Sequence, residues 1–381
     1  MSAPVVHGWC PGALKPMMSG DGLVVRVRAP LGRLTQDQAA GVARLADTHG
    51  NGLIDLSARA NVQIRGVSPQ AHPALIEGLT ALDLIDRDVA AETRRNLVIQ
   101  PFWSEGGMTH RVAQALTVAL AHPDAPDLPG KFGFAVDCET CPLLRDISAD
   151  IRIEATSTGL IVRADNTAAG HPVATAQEAA MAAVALARWF LDTGGAPERR
   201  GRMARHLAGG AALPDAFTAE PTATVARDTP PPGPTPTGAL VALEFGQITA
   251  PTLAALAALG PIRVTPWRML LLEDVTDAPD LPGLIHDASD PRLRIDVCTG
   301  APGCPQGLSS TRDLARTLAP HLPAGQRLHI SGCAKGCAHP GPAPITLTAS
   351  GPGRFDLAHN ARAGEATEAT GLAPDQIKKA L

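Results

Sequence analysis

Cys298-Thr-Gly-Ala-Pro-Gly-Cys304 and, after 28 intervening residues, Cys333-Ala-Lys-Gly-Cys337 hold four of the seven cysteines of this chain. Two thiols separated by five residues and two more separated by three, set among Gly, Pro and Ala, describe one metal site assembled from two loops. An iron–sulfur cluster needs four thiolates converging on a compact inorganic core. Small residues between the thiols let the backbone approach closely and turn its N–H groups toward the sulfides. A structural zinc site prefers two short C-x2-C knuckles and fits these spacings poorly. Disulfides fit less well still, because the cysteine count is odd and the N-terminus carries no signal-peptide pattern. The expected occupant is a [4Fe–4S] cluster on Cys298, Cys304, Cys333 and Cys337.

Composition narrows the class. At 381 residues the chain is long enough for two or three domains with sizeable cores. No apolar run reaches the length of a membrane span, and a net charge of −4 without a basic tail argues against a nucleic-acid partner. Aromatic residues make up 3% of the chain and Tyr is missing, so the cores must be built from Ala, Val, Leu and Ile. A cytoplasmic protein with no membrane or nucleic-acid partner is expected.

Residues 7–22 are rich in turn formers and read as an ordered arm, with Cys10 as a packed thiol. Leu23-Val-Val-Arg-Val-Arg alternates as a strand, and Thr35 caps a helix running to about Thr48. Leu53-Ile-Asp-Leu and Val62-Gln-Ile-Arg form a hairpin, and a helix over about Pro73–Leu82 completes half of a ferredoxin-like layout. Alternation puts Asn61, Gln63 and Arg65 on one face, with Arg59 entering it from the turn; such a face suits either solvent or an anionic ligand. Cys138 and Cys141, in a C-x-x-C after Phe134-Ala-Val-Asp, are read as structural and as a degenerate counterpart of the second cysteine loop. An Ala-rich helix over about Thr175–Leu191 precedes Arg199, Arg200, Arg202 and Arg205, either a solvated helix end or a ligand-facing turn.

Residues 214–238, rich in Pro, Thr and Ala, read as a polyproline-type linker. Past them the pattern returns: a strand from Ala239, a helix from Thr249, and a hairpin of Ile262-Arg-Val with Met269-Leu-Leu-Leu-Glu, with Arg268 near the slot of Arg59. A unit repeated across a linker signals internal duplication. In the last domain, Ser309 or Ser310 is expected to cap a helix through Leu318. The expected domains are 1–90 (arm and first half-domain), 91–213 (first α/β domain), 214–238 (linker), 239–288 (second half-domain) and 289–381 (second α/β domain, with the cluster).

The two cysteine pairs, each after a short apolar strand, resemble the cluster site of the sirohaem sulfite and nitrite reductase superfamily. There the last cysteine, matched here by Cys337, also bridges the cluster to the sirohaem iron. Leu56-Ser-Ala-Arg59-Ala-Asn61-Val-Gln63-Ile-Arg65-Gly66 resembles the segment T-x-R-x-x-x-Q-x-R-G, whose polar positions hold tetrapyrrole carboxylates. Arg94-Arg95-Asn96 resembles the R-N-V turn of these enzymes, and the arginines at 199–205 resemble the turn that closes their first α/β domain. Leu128-Pro-Gly-Lys131-Phe132-Gly133 resembles L-P-x-K-F-K, with Lys131 on the first oxyanion-binding lysine and Gly133 on the second. The resemblance implies an α+β, pseudo-twofold duplicated fold: two ferredoxin-like half-domains plus two α/β domains, the second carrying the cluster.

Cys10-Pro-Gly, Met17-Met-Ser-Gly-Asp-Gly and Thr265-Pro-Trp-Arg-Met-Leu-Leu-Leu resemble segments of the precorrin-3B synthase family, monooxygenases of aerobic cobalamin biosynthesis. With the other motifs, the match covers most of the chain outside the linker. It implies precorrin-3A as substrate, hydroxylation at C-20 with O2, and lactone closure from a ring A acetate. It also implies the cluster, an external NADH-linked electron donor and a mononuclear non-haem iron. That iron needs two His and one carboxylate, and no spacing among the twelve histidines identifies them. Arg59, Asn61, Gln63, Arg65, Arg94, Arg95 and Arg268 are the implied substrate-binding residues and Lys131 the catalytic one. The alternatives are a sirohaem-dependent sulfite or nitrite reductase, opposed by Gly133 and by the chain's length, and an electron-transfer protein without a tetrapyrrole, which would need no large anion-binding pocket.

Overall fold

A computed structural model describes residues 11–220, 226–365 and 367–381; Cys10 lies outside them. Its strands form four sheets in two matching pairs. The first half-domain sheet runs Met17–Ser19, Gly22–Val27, Val62–Val67, Leu53–Leu56, Gln247–Thr249. The second runs Gly233–Thr235, Gly238–Leu243, Met269–Glu273, Ile262–Val264, Arg33–Leu34. Each sheet ends on a strand donated by the other copy, since Gln247–Thr249 pairs with Leu53–Asp55 and Arg33–Leu34 pairs with Ile262–Arg263.

The exchange has a local cause that is duplicated in the sequence. Leu31-Gly32-Arg33-Leu34-Thr35 and Phe245-Gly246-Gln247-Ile248-Thr249 each begin with two left-handed residues, at φ 51° and 75° in the first copy and 56° and 71° in the second. Glycine takes the second of these positions without a Cβ penalty. The kink steers the chain out of its own sheet into the other, and the following Thr caps a helix: Thr35 Oγ1 accepts from Gln38 N and Thr249 Oγ1 from Thr252 N. Helices Gln36–His49 and Ala250–Ala257 then share one core, in which Ala39, Val42, Ala43 and Ala46 belong with Leu253, Leu256 and Ala257. Fully burying each Val or Leu there contributes about 1.5–3 kcal/mol.

The α/β sheets also match. Leu97–Ile99, Phe134–Asp137 and Ile151–Thr156 run parallel, followed by antiparallel Gly159–Ala164 and His171–Val173. Ile295–Val297, Leu328–Ser331 and Ala343–Gly351 run parallel, followed by antiparallel Arg354–Ala361 and Ala369–Leu372. Phe134–Asp137 therefore stands where Leu328–Ser331 stands, and Cys138 leaves the first sheet where the second cysteine loop leaves the other.

Three expectations change. The turn-rich arm contains an edge strand, Met17–Ser19, and the Pro-rich linker ends in its counterpart, Gly233–Thr235. Three residues are too few for a readable alternation. The helix Arg312–Leu318 begins at Thr311, not at Ser309 or Ser310, and the Thr311 hydroxyl is diverted to the carbonyl of Cys298 at 2.7 Å.

Candidate functional site

Strands Ile295–Val297 and Leu328–Ser331 are adjacent and parallel, with Val297 opposite Ile330, so the two cysteine loops leave the same sheet edge side by side. None of Cys298, Cys304, Cys333 and Cys337 is in a disulfide; Cys337 is exposed and the others are half-buried. The loops interlock through glycine backbone. Gly332 N–H donates to Cys298 Sγ at 3.1 Å, and Leu308 N–H donates to Gly332 O at 2.8 Å. A Cβ on Gly332 would lie 3.1 Å from Gly300 Cα and 3.4 Å from Gly307 Cα. Although Cys337 is exposed as a whole, partial burial of its thiol raises its pKa, Lys335 opposes the rise, and nearby Cys298, Cys333 and Cys304 add to it. Four free thiols on two glycine-rich loops, with one amide already aimed at a sulfur, suit an iron–sulfur cluster. Among the described residues no group of three or more His, Cys, Asp or Glu is arranged around a single ion.

The second element of the site is a sheet face that differs between the two copies at the two central strands. Arg26 lies opposite Gln63, and Gln63 opposite Asp55, so Arg26, Arg28, Asn61, Gln63 and Arg65 share one face of the first half-domain sheet. The matching positions of the second sheet are Leu240, Ala242, Met269, Leu271 and Glu273, where Leu240, Ala242, Met269 and Leu271 pack an apolar cluster. Arg33 and Arg263 lie on that second face, but both are paired with Glu273, so of the two faces the first is the better suited to an anionic ligand. Arg26 and Arg28 are each 7% exposed, and the Nε atom of each lacks a hydrogen-bond partner. Burial, then the Arg26 charge, lowers the Arg28 pKa to about 10 against the pull of Glu92. The sequence did carry this signal: the alternation of residues 23–28 places both arginines on the face of Gln63.

Arg28 opens into a cavity of about 700 Å³ whose wall includes Lys15, Arg94, Arg199 and Arg200 along with Glu92, Asp127 and Glu198. Arg200 and Glu198 also edge a neighbouring cavity of about 740 Å³, so the arginine turn faces two hollows. Arg202 within it is held by Asp150 at 2.9 Å. The arm that walls the first cavity at Gly12 and Lys15 touches the first cysteine loop at Ser19 and Gly20, both of which donate to Gly303 O.

Several expected binders are engaged elsewhere. Arg65 donates to Asp21 at 2.7 Å and to Gly303 O at 2.9 Å, so its charge is matched within the chain. Arg95 likewise makes two hydrogen bonds to Asp86, at 2.8 and 3.0 Å. Asn61 Nδ2 closes the hairpin on Arg59 O at 2.9 Å. Arg59 is half-buried in that turn, and Gln63 is half-buried on the shared face. Arg94 lines the cavity while its Nε donates to Leu120 O. Arg268 takes the left-handed position of Ala60, so Trp267 fills the slot of Arg59; the Arg268 guanidinium lies 3.4 Å from Asp296 and 3.5 Å from Ala338 O in the second cysteine loop.

Lys131 is exposed, although Leu128, Pro129 and Gly130 just before it wall the cavity. Gly133 is buried, donates to Asp150 at 3.0 Å, and leaves no room for a second lysine: a Cβ there would lie 3.0 Å from Asn96 Nδ2 and 3.1 Å from Asn96 O. Gly133→Ala should cost about 1–3 kcal/mol of stability through overpacking, and Gly133→Lys more, with no sulfite reduction gained. Thermal unfolding beside a sulfite assay checks this; a Gly133→Lys chain of unchanged Tm that reduces sulfite would show that the slot has room.

One constellation escaped the spacing analysis. Asp296 and His329 are opposite one another on neighbouring strands, and His339 Nδ1 lies 3.4 Å from Asp296 Oδ2. His329 is fully buried, neither ring nitrogen has a hydrogen-bond partner, and burial, then His339, lowers its pKa to about 4. These are two His and a carboxylate, but Asp296 is already paired with Arg327 at 2.9 Å and with Arg268. As arranged, the three do not fit a mononuclear iron, and no step is assigned to one. Cys138 is a packed thiol whose pKa is pushed up by burial, and Cys141 is half-buried, in keeping with structural roles.

The nitrite/sulfite reductase ferredoxin-like half domain family matches residues 15–82. A precorrin-3B synthase of Sinorhizobium sp is 29% identical to this chain, over 95% of this chain and 84% of its own length. Among solved structures, the NirA protein of Mycobacterium tuberculosis shares the fold, with a TM-score of 0.57 at 18% identity over 94% of this chain and 79% of that one. The duplicated α+β fold with ferredoxin-like half-domains is therefore the fold of this chain. Among the described residues, no helix is long and apolar enough to cross a membrane.

Proposed function

We propose that this chain is a precorrin-3B synthase, a cytoplasmic monooxygenase that hydroxylates precorrin-3A at C-20 with O2 and closes a lactone from a ring A acetate. The observation that carries the reading is the continuity between cavity and cluster loop. One arm segment walls a hollow edged by Lys15, Arg28, Arg94, Arg199 and Arg200 and also grips the loop of Cys304. A uroporphyrinoid rimmed with acetates and propionates matches such a wall through charge-assisted hydrogen bonds. Arg28 anchors the carboxylates from the half-domain face, and Arg199 and Arg200 close over them from the α/β domain. Cys298, Cys304, Cys333 and Cys337 would hold the cluster, which supplies single electrons from an NADH-linked donor. Gly133 removes the second oxyanion lysine, favouring a tetrapyrrole substrate over sulfite or nitrite.

The test is an anaerobic absorption spectrum of the purified chain with iron and acid-labile sulfide analysis, followed by precorrin-3A, O2 and a reducing system. The expected result is a broad cluster shoulder, matched iron and sulfide, no tetrapyrrole bands, and a hydroxylated lactone product. Bound sirohaem would give the case to the reductases. Zinc without sulfide would overturn both readings.

A further inference from the structure

The carbonyl of Gly303, the residue before Cys304, accepts from three donors that lie about 240 to 280 positions away in the chain. Ser19 Oγ reaches it at 2.6 Å, Arg65 Nη2 at 2.9 Å and Gly20 N at 3.2 Å. Arg65 is 6% exposed and is set in an alternating chain of charges: Asp21 at 2.7 Å, Asp55 at 3.6 Å, and beyond Asp55 the Arg312 guanidinium at 3.0 Å. Arg312 opens the helix that follows the first cysteine loop. The fit is close on the backbone side too, since a Cβ on Gly20 would lie 2.2 Å from Pro302 O. Such a buried network is costly unless every member is satisfied. Its terminus here is a loop carbonyl one residue from a cluster thiol.

We propose that Arg65, held by Asp21 and Asp55, is a positioning residue for Cys304: it fixes the Gly303 carbonyl and so sets where the first loop presents its thiolate. The inference rests on the cluster reading above. Arg65 acts through the loop; it does not touch substrate. Its hydrogen bond also draws electron density from the Gly303–Cys304 peptide, whose N–H donates to Gly300 O at 2.7 Å. Loosening that peptide changes both cluster retention and the electrostatics at the cluster.

The test compares Arg65→Lys, Arg65→Met and Asp21→Asn with the parent chain after anaerobic reconstitution, reading iron and sulfide content, the rate of cluster loss to a chelator, and the EPR spectrum and midpoint potential of the reduced cluster. Arg65→Met should lose its cluster about 10-fold faster with an altered EPR spectrum and potential, while Arg65→Lys, which keeps the charge, recovers part of the effect. These cluster signals should change in Arg65→Met and stay at the parent level in Arg28→Met, since Arg28 is an arginine of the same face whose partner is Glu92 and not the cysteine loop. Hydrogen exchange of the amides at 304 and 307 in the apo chain gives a readout that needs no cluster, and both should exchange faster in Arg65→Met. Parent-like exchange, EPR and cluster loss overturn the proposal, and weakened binding of a uroporphyrin probe with an unaltered cluster makes Arg65 a substrate clamp instead. A parent chain that takes up no iron and sulfide, yet shows the exchange difference, overturns the cluster reading and leaves the loop tether standing.

Discussion

On the proposed function, Gly300→Ala should cost the chain its iron–sulfur cluster while leaving most of its fold. Gly300 sits two residues after Cys298 at φ 63°, a conformation that costs an L-residue with a Cβ about 1–2 kcal/mol. Its Cβ would also lie 2.4 Å from Thr311 Oγ1 and 2.9 Å from Ser309 O. Thr311 cannot simply swing aside, because its hydroxyl holds the Cys298 carbonyl at 2.7 Å. The new methyl therefore displaces the support of one thiol and crowds the loop carrying another. Damage to such supports lowers metal affinity by about 10- to 100-fold, so iron and sulfide should fall away on gel filtration. The core of this domain, Ile295, Val297, Leu328, Ile330 and Leu347, is untouched, and the loss in Tm should be a few degrees. Thr311→Ser, which keeps the hydroxyl, should retain the cluster. Full iron and sulfide in Gly300→Ala would mean that the glycines serve the turn alone.

How much of this was legible in the sequence depends on range. The four cysteines, the capping threonines and both hairpins were readable because each is encoded within a few residues, and the duplication because two local patterns recur. The strand exchange was not, since nothing in Arg33-Leu34 names its partner at Ile262-Arg263. The fate of Arg65 was hidden for the same reason: alternation fixes which face a side chain takes, while Asp21 and Gly303 reach it only by tertiary folding. Asp296, His329 and His339 meet by strand register and a returning loop, which no spacing rule over histidines detects. Arg26 and Arg28 are visible in the sequence as an alternating pair, but what distinguishes them from Arg95 is their burial without full partners, which only the fold creates.

Arg28→Met should weaken tetrapyrrole binding while leaving the cluster intact. Methionine keeps the unbranched stem and much of the packing, so the change removes charge and donors with little loss of volume. In the parent, Arg28 Nε has no partner, and Nη1 lies 3.3 Å from Glu92 Oε1. Glu92 is not left stranded by the change, because Ala13 N and Leu14 N still donate to it. What is lost is a cation kept buried next to Arg26 without a full complement of acceptors, a situation that a ligand carboxylate relieves. A hydrogen bond to a charged group is worth about 1.5–3 kcal/mol, so affinity for precorrin-3A, or for a uroporphyrin probe, should fall about 10- to 100-fold. Arg95→Met is the comparison, since Arg95 pairs with Asp86 at 2.8 Å and supports the Arg28 carbonyl at 3.3 Å; it should lose stability and weaken binding less than Arg28→Met. Fluorescence titration of the probe at two salt concentrations separates the cases, because a lost charge contact also flattens the salt dependence. If Arg95→Met weakens binding more than Arg28→Met, the carboxylates lie toward the Asp86 side and the polar face of the first sheet is not the floor of the site.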